Sequence, residues 1–160
     1  MLRLFRHKQP AVTDILSSKL FDEKQFYQTF IKDLCDCKKE VIIESPFITC
    51  SRMKMLYPVF EKLVKRGVKV YVITRDPREH SNGYEEQSEE EIQRFEGLGV
   101  QVFLCVGNHH RKLAILDRRI LWEGSLNILS HIKSREIMRR IDSPEIASDM
   151  FSFLKFGRFI

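Results

Sequence analysis

Three short stretches in the last third of the chain carry side chains able to do chemistry together. His110 and Lys112 lie two residues apart in His110-Arg111-Lys112-Leu113-Ala114-Ile115-Leu116-Asp117. In an extended strand that spacing puts both side chains on one face. An imidazole beside a fixed ammonium suits a phosphodiester: the lysine holds a phosphate oxygen by charge. The imidazole, with an ordinary pKa of about 6.5, is available uncharged as a nucleophile. Ser125 and Asn127 repeat the spacing in Gly124-Ser125-Leu126-Asn127 and can donate hydrogen bonds to the same anion, with Gly124 permitting close backbone approach. Glu136, in Ser134-Arg135-Glu136, can hold one ring nitrogen of His110 and fix the tautomer that leaves the other free to attack. Asp117 is seven residues from His110, so strand parity turns it away; it is expected at the strand end, positioning its neighbours or the partner subunit rather than acting as a base.

Strands and helices must bring these stretches together. Phe26, Tyr27, Phe30, Ile31 and Leu34 fall at helical spacing behind a capping Asp22. Val41–Glu44 reads as a buried strand that Ser45-Pro46 ends. Pro58 suits a first helical turn, continued by Phe60, Leu63 and Val64 and closed by Gly67. A strand over Val68–Thr74, a mobile polar loop over Asp76–Gln87 and a helix opened by a Ser88/Glu91 capping box follow. Gly99 ends that helix and Val100–Val106 is the next strand. Beyond Gly107 the pattern changes to successive strands, Arg111–Leu116, Arg119–Glu123 and Arg135–Ile141, before a last helix opened by Ser143-Pro144. Strand–helix units followed by a hairpin imply an α/β fold, a mixed β-sheet flanked by helices on both faces. The boundaries are an N-terminal arm over 1–20 and a single domain over 21–160, with Trp122 in its core.

Composition narrows the class. The chain has 160 residues, 43% hydrophobic and 31% charged, which suits a single packed domain and excludes a disordered or fibrous chain. No apolar stretch approaches the ~20 residues that span a bilayer, and the basic start lacks the apolar run of a leader, so the expected location is cytoplasmic. Cys35, Cys37, Cys50 and Cys105 have no framework spacing and are expected as reduced thiols, with no metal site and no cofactor. Net charge is +5, but Tyr84–Gly97 holds six glutamates and one arginine, leaving 26 basic against 16 acidic residues elsewhere. A basic body with one acidic helix suggests a polyanion partner. Arg111, Arg118, Arg119, Lys133 and Arg135 cluster in sequence around the motif and are candidate backbone contacts.

The combination His110-x-Lys112-x4-Asp117, then Gly124-Ser125-x-Asn127, then Glu136 resembles the HKD signature of the phospholipase D superfamily. The strand ending Glu44-Ser45-Pro46-Phe47 resembles that family's first core strand and its following loop. The resemblance implies catalytic roles for His110, Lys112, Asp117, Asn127 and Glu136, and phosphate binding by Lys112, Ser125 and Asn127. It implies a metal-independent reaction in which one motif's histidine attacks phosphorus and a second motif's histidine protonates the leaving oxygen. His7, His80, His109 and His131 begin no second motif, so the resemblance implies a homodimer with one His110 from each subunit. In this the chain is similar to the small single-motif bacterial endonucleases of the superfamily.

Three functions remain open. A phosphodiesterase acting on DNA or RNA fits the basic body. A phospholipid hydrolase or transferase fits the same motif, although no basic-flanked amphipathic helix or lipidation signal points to a membrane. A catalytically silent nucleic-acid-binding or assembly module would not need the motif intact.

Overall fold

The computed structural model describes residues 18–80, 84–130 and 133–160. The elements run β1 (Ser18–Asp22), α1 (Phe26–Asp36), β2 (Glu40–Glu44), α2 (Cys50–Lys65), β3 (Lys69–Arg75), a 3-10 turn (Pro77–Glu79), α3 (Tyr84–Leu98) and β4 (Gln101–Cys105). They continue as β5 (Leu113–Leu116), β6 (Ile120–Gly124), β7 (Ile137–Asp142), α4 (Pro144–Phe153) and a 3-10 turn (Phe156–Arg158). The strands form one sheet in the order β1-β7-β6-β5-β2-β3-β4. β2, β3 and β4 are parallel; β5 runs antiparallel to β2, and β6, β7 and β1 continue antiparallel. This is the mixed α/β sheet that the sequence pattern implies.

Strand alternation splits the core between the two faces of the sheet. Val41, Ile43, Val70, Val72, Ala114, Leu116 and Trp122 pack with Phe26, Phe30, Phe60 and Phe95 of α1, α2 and α3. Ile42, Tyr71, Ile73, Leu113, Ile115 and Leu121 pack with Ala147, Leu154 and Phe156 on the face covered by α4. A buried charge cluster locks α1 to the sheet. Asp33 accepts from Trp122 Nε1 at 2.9 Å and from Arg140 Nε at 2.7 Å, so the carboxylate is paired where water is excluded.

Several elements depart from the sequence pattern. The first three residues of β1, expected in the N-terminal arm, pair with β7 through Ser18–Ile141, Lys19–Arg140 and Leu20–Arg139. The rest of that arm, residues 1–17, lies outside the described residues, as do 81–83 of the expected loop. Pro58 is inside α2 and not at its start. α3 begins at Tyr84, so Ser88 and Glu91 are buried mid-helix instead of forming a capping box. Glu91 accepts from the Tyr57 hydroxyl at 2.8 Å, and Ser88 Oγ stands 3.2 Å from His80 Nδ1. The last helix starts where its signal lies: Ser143 Oγ accepts from Ile146 N at 3.3 Å and Pro144 takes the first turn.

Candidate active site

Antiparallel pairing puts the start of β5 beside the end of β2, with Leu113 opposite Glu44. The end of β6 and the start of β7 lie at the same edge, with Gly124 opposite Met138. The carboxyl ends of β2 and β3 therefore share one rim with the residues before β5, after β6 and before β7. This is the edge where open α/β sheets bind ligands. Gly124 is needed there for packing: a Cβ would stand 2.1 Å from Ile137 O and 2.9 Å from Met138 Cα. The close approach is to β7, not to a ligand as the sequence suggested.

His110 and Lys112 meet at this rim. Lys112 Nζ stands 2.8 Å from His110 Nδ1 and donates to His110 O at 2.6 Å. The Phe47 ring meets the imidazole edge-on, with centroids 6.3 Å apart. Both side chains line an open groove of about 840 Å³ with Ser125, Gly124, Arg139, Ile137 and Phe153. Partial burial lowers the His110 pKa from its ordinary value, and the charge of Lys112 lowers it further, followed by Arg75 and His109. Burial also lowers the Lys112 pKa, while the Glu136 carboxylate opposes it and favours the ammonium. The ring is thus held uncharged at neutral pH beside a cation. In NMR titration His110 is expected to protonate below pH 6.5. Lys112→Gln should raise that pKa without removing the part due to burial. A wild-type value above 6.5 would contradict the electrostatic account.

Ser125 and Glu136 join the groove to a second cavity. The Glu136 carboxylate accepts from both Ser125 Oγ and Ser134 Oγ. Ser125 N donates to Ile137 O at 3.0 Å and Ile137 N donates back to Ser125 Oγ at 3.1 Å, which fixes the hydroxyl over the start of β7. Glu136 therefore orients Ser125 and Ser134 and does not hold a His110 ring nitrogen, as the sequence spacing had suggested. Two hydroxyls flank the carboxylate more closely than the imidazole, whose Nδ1 is taken by Lys112. Asn127 and Glu136 line the neighbouring cavity with Lys133 and Arg135.

The remaining candidates are placed elsewhere. Asp117 lies past the far end of β5, in the β5–β6 turn. Its carboxylate accepts three backbone N–H groups, from Lys38 and Lys39 at 2.8 Å and from Glu40 at 3.0 Å. Asp117 and Arg118 both have φ of 52°, and Arg119 N donates to Leu116 O at 3.0 Å, the geometry of a tight hairpin turn. Asp117 is a positioning residue at the edge of the sheet opposite His110, so the catalytic role the family motif implies for it is corrected. Arg118 pairs with Glu40 and stacks on Phe151 at 3.2 Å, and Arg119 pairs with Asp142 at 2.7 Å. Neither is on the His110 rim.

Glu44 is the position at this rim that sequence reasoning passed over. It ends β2 with 0% exposure. Arg111 donates to its Oε1 at 2.9 Å, and His109 Nε2 stands 2.8 Å from the same oxygen without hydrogen-bond alignment. One buried carboxylate thus grips the residues on either side of His110. Arg111 is engaged in this clamp while its side chain, 50% exposed, also lines the groove beside His110 and Lys112. The signal was a charged residue closing an otherwise apolar run. Ser45, next in the chain, accepts from Leu129 N at 3.2 Å and ties the post-β2 loop to the Ser125–Ser130 segment.

The family model described as "Cardiolipin synthase, PLD-like domain" matches residues 30–155. The chain belongs to the phospholipase D superfamily. NucT from Helicobacter pylori is similar with a TM-score of 0.68 and 20% identity, over 86% of this chain and 92% of that one. Nuc from Salmonella typhimurium, titled a phospholipase D family member, gives 0.67 and 18% over 87% and 91%. A phosphatidylserine synthase from Haemophilus influenzae gives 0.68 and 14%, over 89% of this chain and 38% of that one. No curated protein matches the sequence. Among the described residues no helix is long and apolar enough to cross a membrane.

Proposed function

We propose that this superfamily member is a metal-independent phosphodiesterase that cleaves nucleic-acid backbones in a site shared by two subunits. The observation that carries the reading is the His110–Lys112 pair at the mouth of an open groove. Lys112 donates to Nδ1, which puts the proton of the neutral ring on Nε2. A phosphate oxygen competes for the ammonium, releases Nδ1 to take the proton, and leaves Nε2 with its lone pair. Nε2 then attacks phosphorus. The P–O bond to the leaving oxygen breaks with its electron pair, and the partner subunit's His110, which takes up a solvent proton once the anionic phosphate sits between the two rings, gives it to that oxygen. In the second step the same partner imidazole takes a proton from water, the hydroxide oxygen bonds to phosphorus, and the P–N bond returns its pair to the first ring. Lys112 and the Asn127 amide stabilise the charge on the equatorial oxygens, and Ser125 joins them when its hydroxyl turns from Glu136 to the phosphate.

Two features support the shared site. The chemistry needs a nucleophile and an acid, and each chain supplies one His-x-Lys-x4-Asp motif. The groove is also rimmed by Leu20, Ile137 and Phe153, which are 62%, 62% and 80% exposed and form an apolar surface that a second copy would cover. Nucleic acid is favoured because Lys133, Arg135 and Arg139 lie around the groove and its neighbouring cavity.

The same apolar rim favours a second reading, in which an acyl chain lies along it and the phosphate is a lipid headgroup. One assay separates these readings. In excess chelator the wild type is expected to cleave a single-stranded oligonucleotide at its full rate and to leave phosphatidylglycerol vesicles intact. Loss of activity that added Mg²⁺ restores would overturn the metal-independent mechanism. Faster hydrolysis of the vesicles than of the oligonucleotide would overturn the substrate.

A further inference from the structure

Beside the groove lies a cavity of about 390 Å³, lined by Tyr27, Arg52, Asn127, Ser130, Lys133 and Arg135 among others. It shares a wall with the proposed active site, because Glu136 borders the cavity and accepts from Ser125 of the groove. Two buried polar atoms belonging to its lining residues, Ser130 Oγ and Asn127 Oδ1, have no hydrogen-bond partner among the described residues. Such atoms are costly unless a bound group supplies the missing bond. A rigid flat surface adjoins them: the Arg52 guanidinium lies 3.6 Å from the Tyr27 ring centroid, and Tyr27 is fixed by donating its hydroxyl proton to Ile128 O at 2.8 Å. Lys133 and Arg135 form no ion pair among the described residues.

We infer that this cavity holds the nucleotide next to the scissile phosphate of a single strand; the inference rests on the nuclease reading above. The base stacks on the outer face of the Arg52 guanidinium and presents its polar edge to Ser130 Oγ and Asn127 Oδ1, while its phosphate stays between Lys133 and Arg135. Charge decides this orientation. Glu23 and Glu136 also line the cavity, Glu23 accepting from Glu136 N at 3.1 Å, and a phosphate placed deep would meet both carboxylates. A neutral base meets no such repulsion. A base can enter only when it has left the duplex stack, so the site selects single strands.

The test compares kcat/KM for a single-stranded oligonucleotide with that for bis(4-nitrophenyl) phosphate, which has no neighbouring nucleotide. In Arg52→Gln, and separately in the double variant Lys133→Gln/Arg135→Gln, the ratio is expected to fall about tenfold from wild type. Wild type should cleave the single strand at least tenfold faster than a blunt duplex. An unchanged ratio in folded variants, with the wild type still cleaving the oligonucleotide, would overturn the subsite and leave the nuclease reading standing. If the wild type hydrolyses the small diester but no oligonucleotide, the nuclease reading itself fails. Should Arg52→Gln melt early, Ser130→Ala, which removes only the unpartnered hydroxyl and no backbone-binding charge, decides the matter by the same ratio.

Discussion

His110→Ala is expected to lower kcat on a single-stranded oligonucleotide by about 10⁴-fold or more, the scale on which removing a covalent nucleophile acts. The effect should be doubled in kind, because one substitution removes the attacking ring from one subunit and the proton donor from the other. Stability should hardly change. The ring is exposed and touches Lys112 and the Phe47 edge, so no core cavity opens. Oligonucleotide affinity in the variant should stay within a few-fold of wild type, since the backbone is held by cations that remain. Single-turnover rates, melting curves and fluorescence anisotropy on the same preparations check the three parts. A variant that keeps a tenth of the wild-type rate would remove His110 from the chemistry.

Asp117→Ala should act in the opposite way, through the fold. Three backbone N–H groups at the head of β2 lose a charged acceptor at once, and alanine is strained at a φ of 52° where aspartate is tolerated. Hydrogen bonds to a charged group contribute about 1.5–3 kcal/mol each when removed singly, and these share one half-buried carboxylate. A loss of about 3–5 kcal/mol is expected, which lowers the melting temperature by roughly 10 °C in a chain of this size. Asp117→Asn, which keeps one oxygen and tolerates the left-handed conformation, should lose less. The folded fraction of either variant should keep kcat within several-fold of wild type, measured well below the melting transition. A hundred-fold fall in kcat at unchanged melting temperature would return Asp117 to the active site.

The candidate site was partly legible because its pairs are local. Two-residue spacing in extended backbone decides which side chains share a face, so His110 with Lys112 could be read directly. The partner of Glu136 could not, because the choice between an imidazole and two serine hydroxyls depends on how the Ser125 segment lies over β7. Asp117 was placed correctly at a strand end by parity alone, but its three backbone donors come from residues nearly 80 positions away. Glu44 was quoted as a strand end and no more, since only the fold brings Arg111 and His109 onto it. β1 escaped notice because an edge strand of five residues with an exposed Leu20 has little apolar pattern. Pro58 pulled the expected start of α2 too late. The stripe Met53, Leu56, Phe60 and Leu63 runs through it, and burial of that stripe outweighs the missing hydrogen bond.

In the proposed dimer one pocket draws a histidine from each of two chains. Heterodimers of wild type and His110→Ala, isolated through a different affinity tag on each subunit, test it most directly. The shared site predicts less than about one per cent of the wild-type homodimer rate, because each heterodimer lacks either nucleophile or acid. Heterodimers retaining half of that rate would mean that each chain works alone, and the account would be wrong.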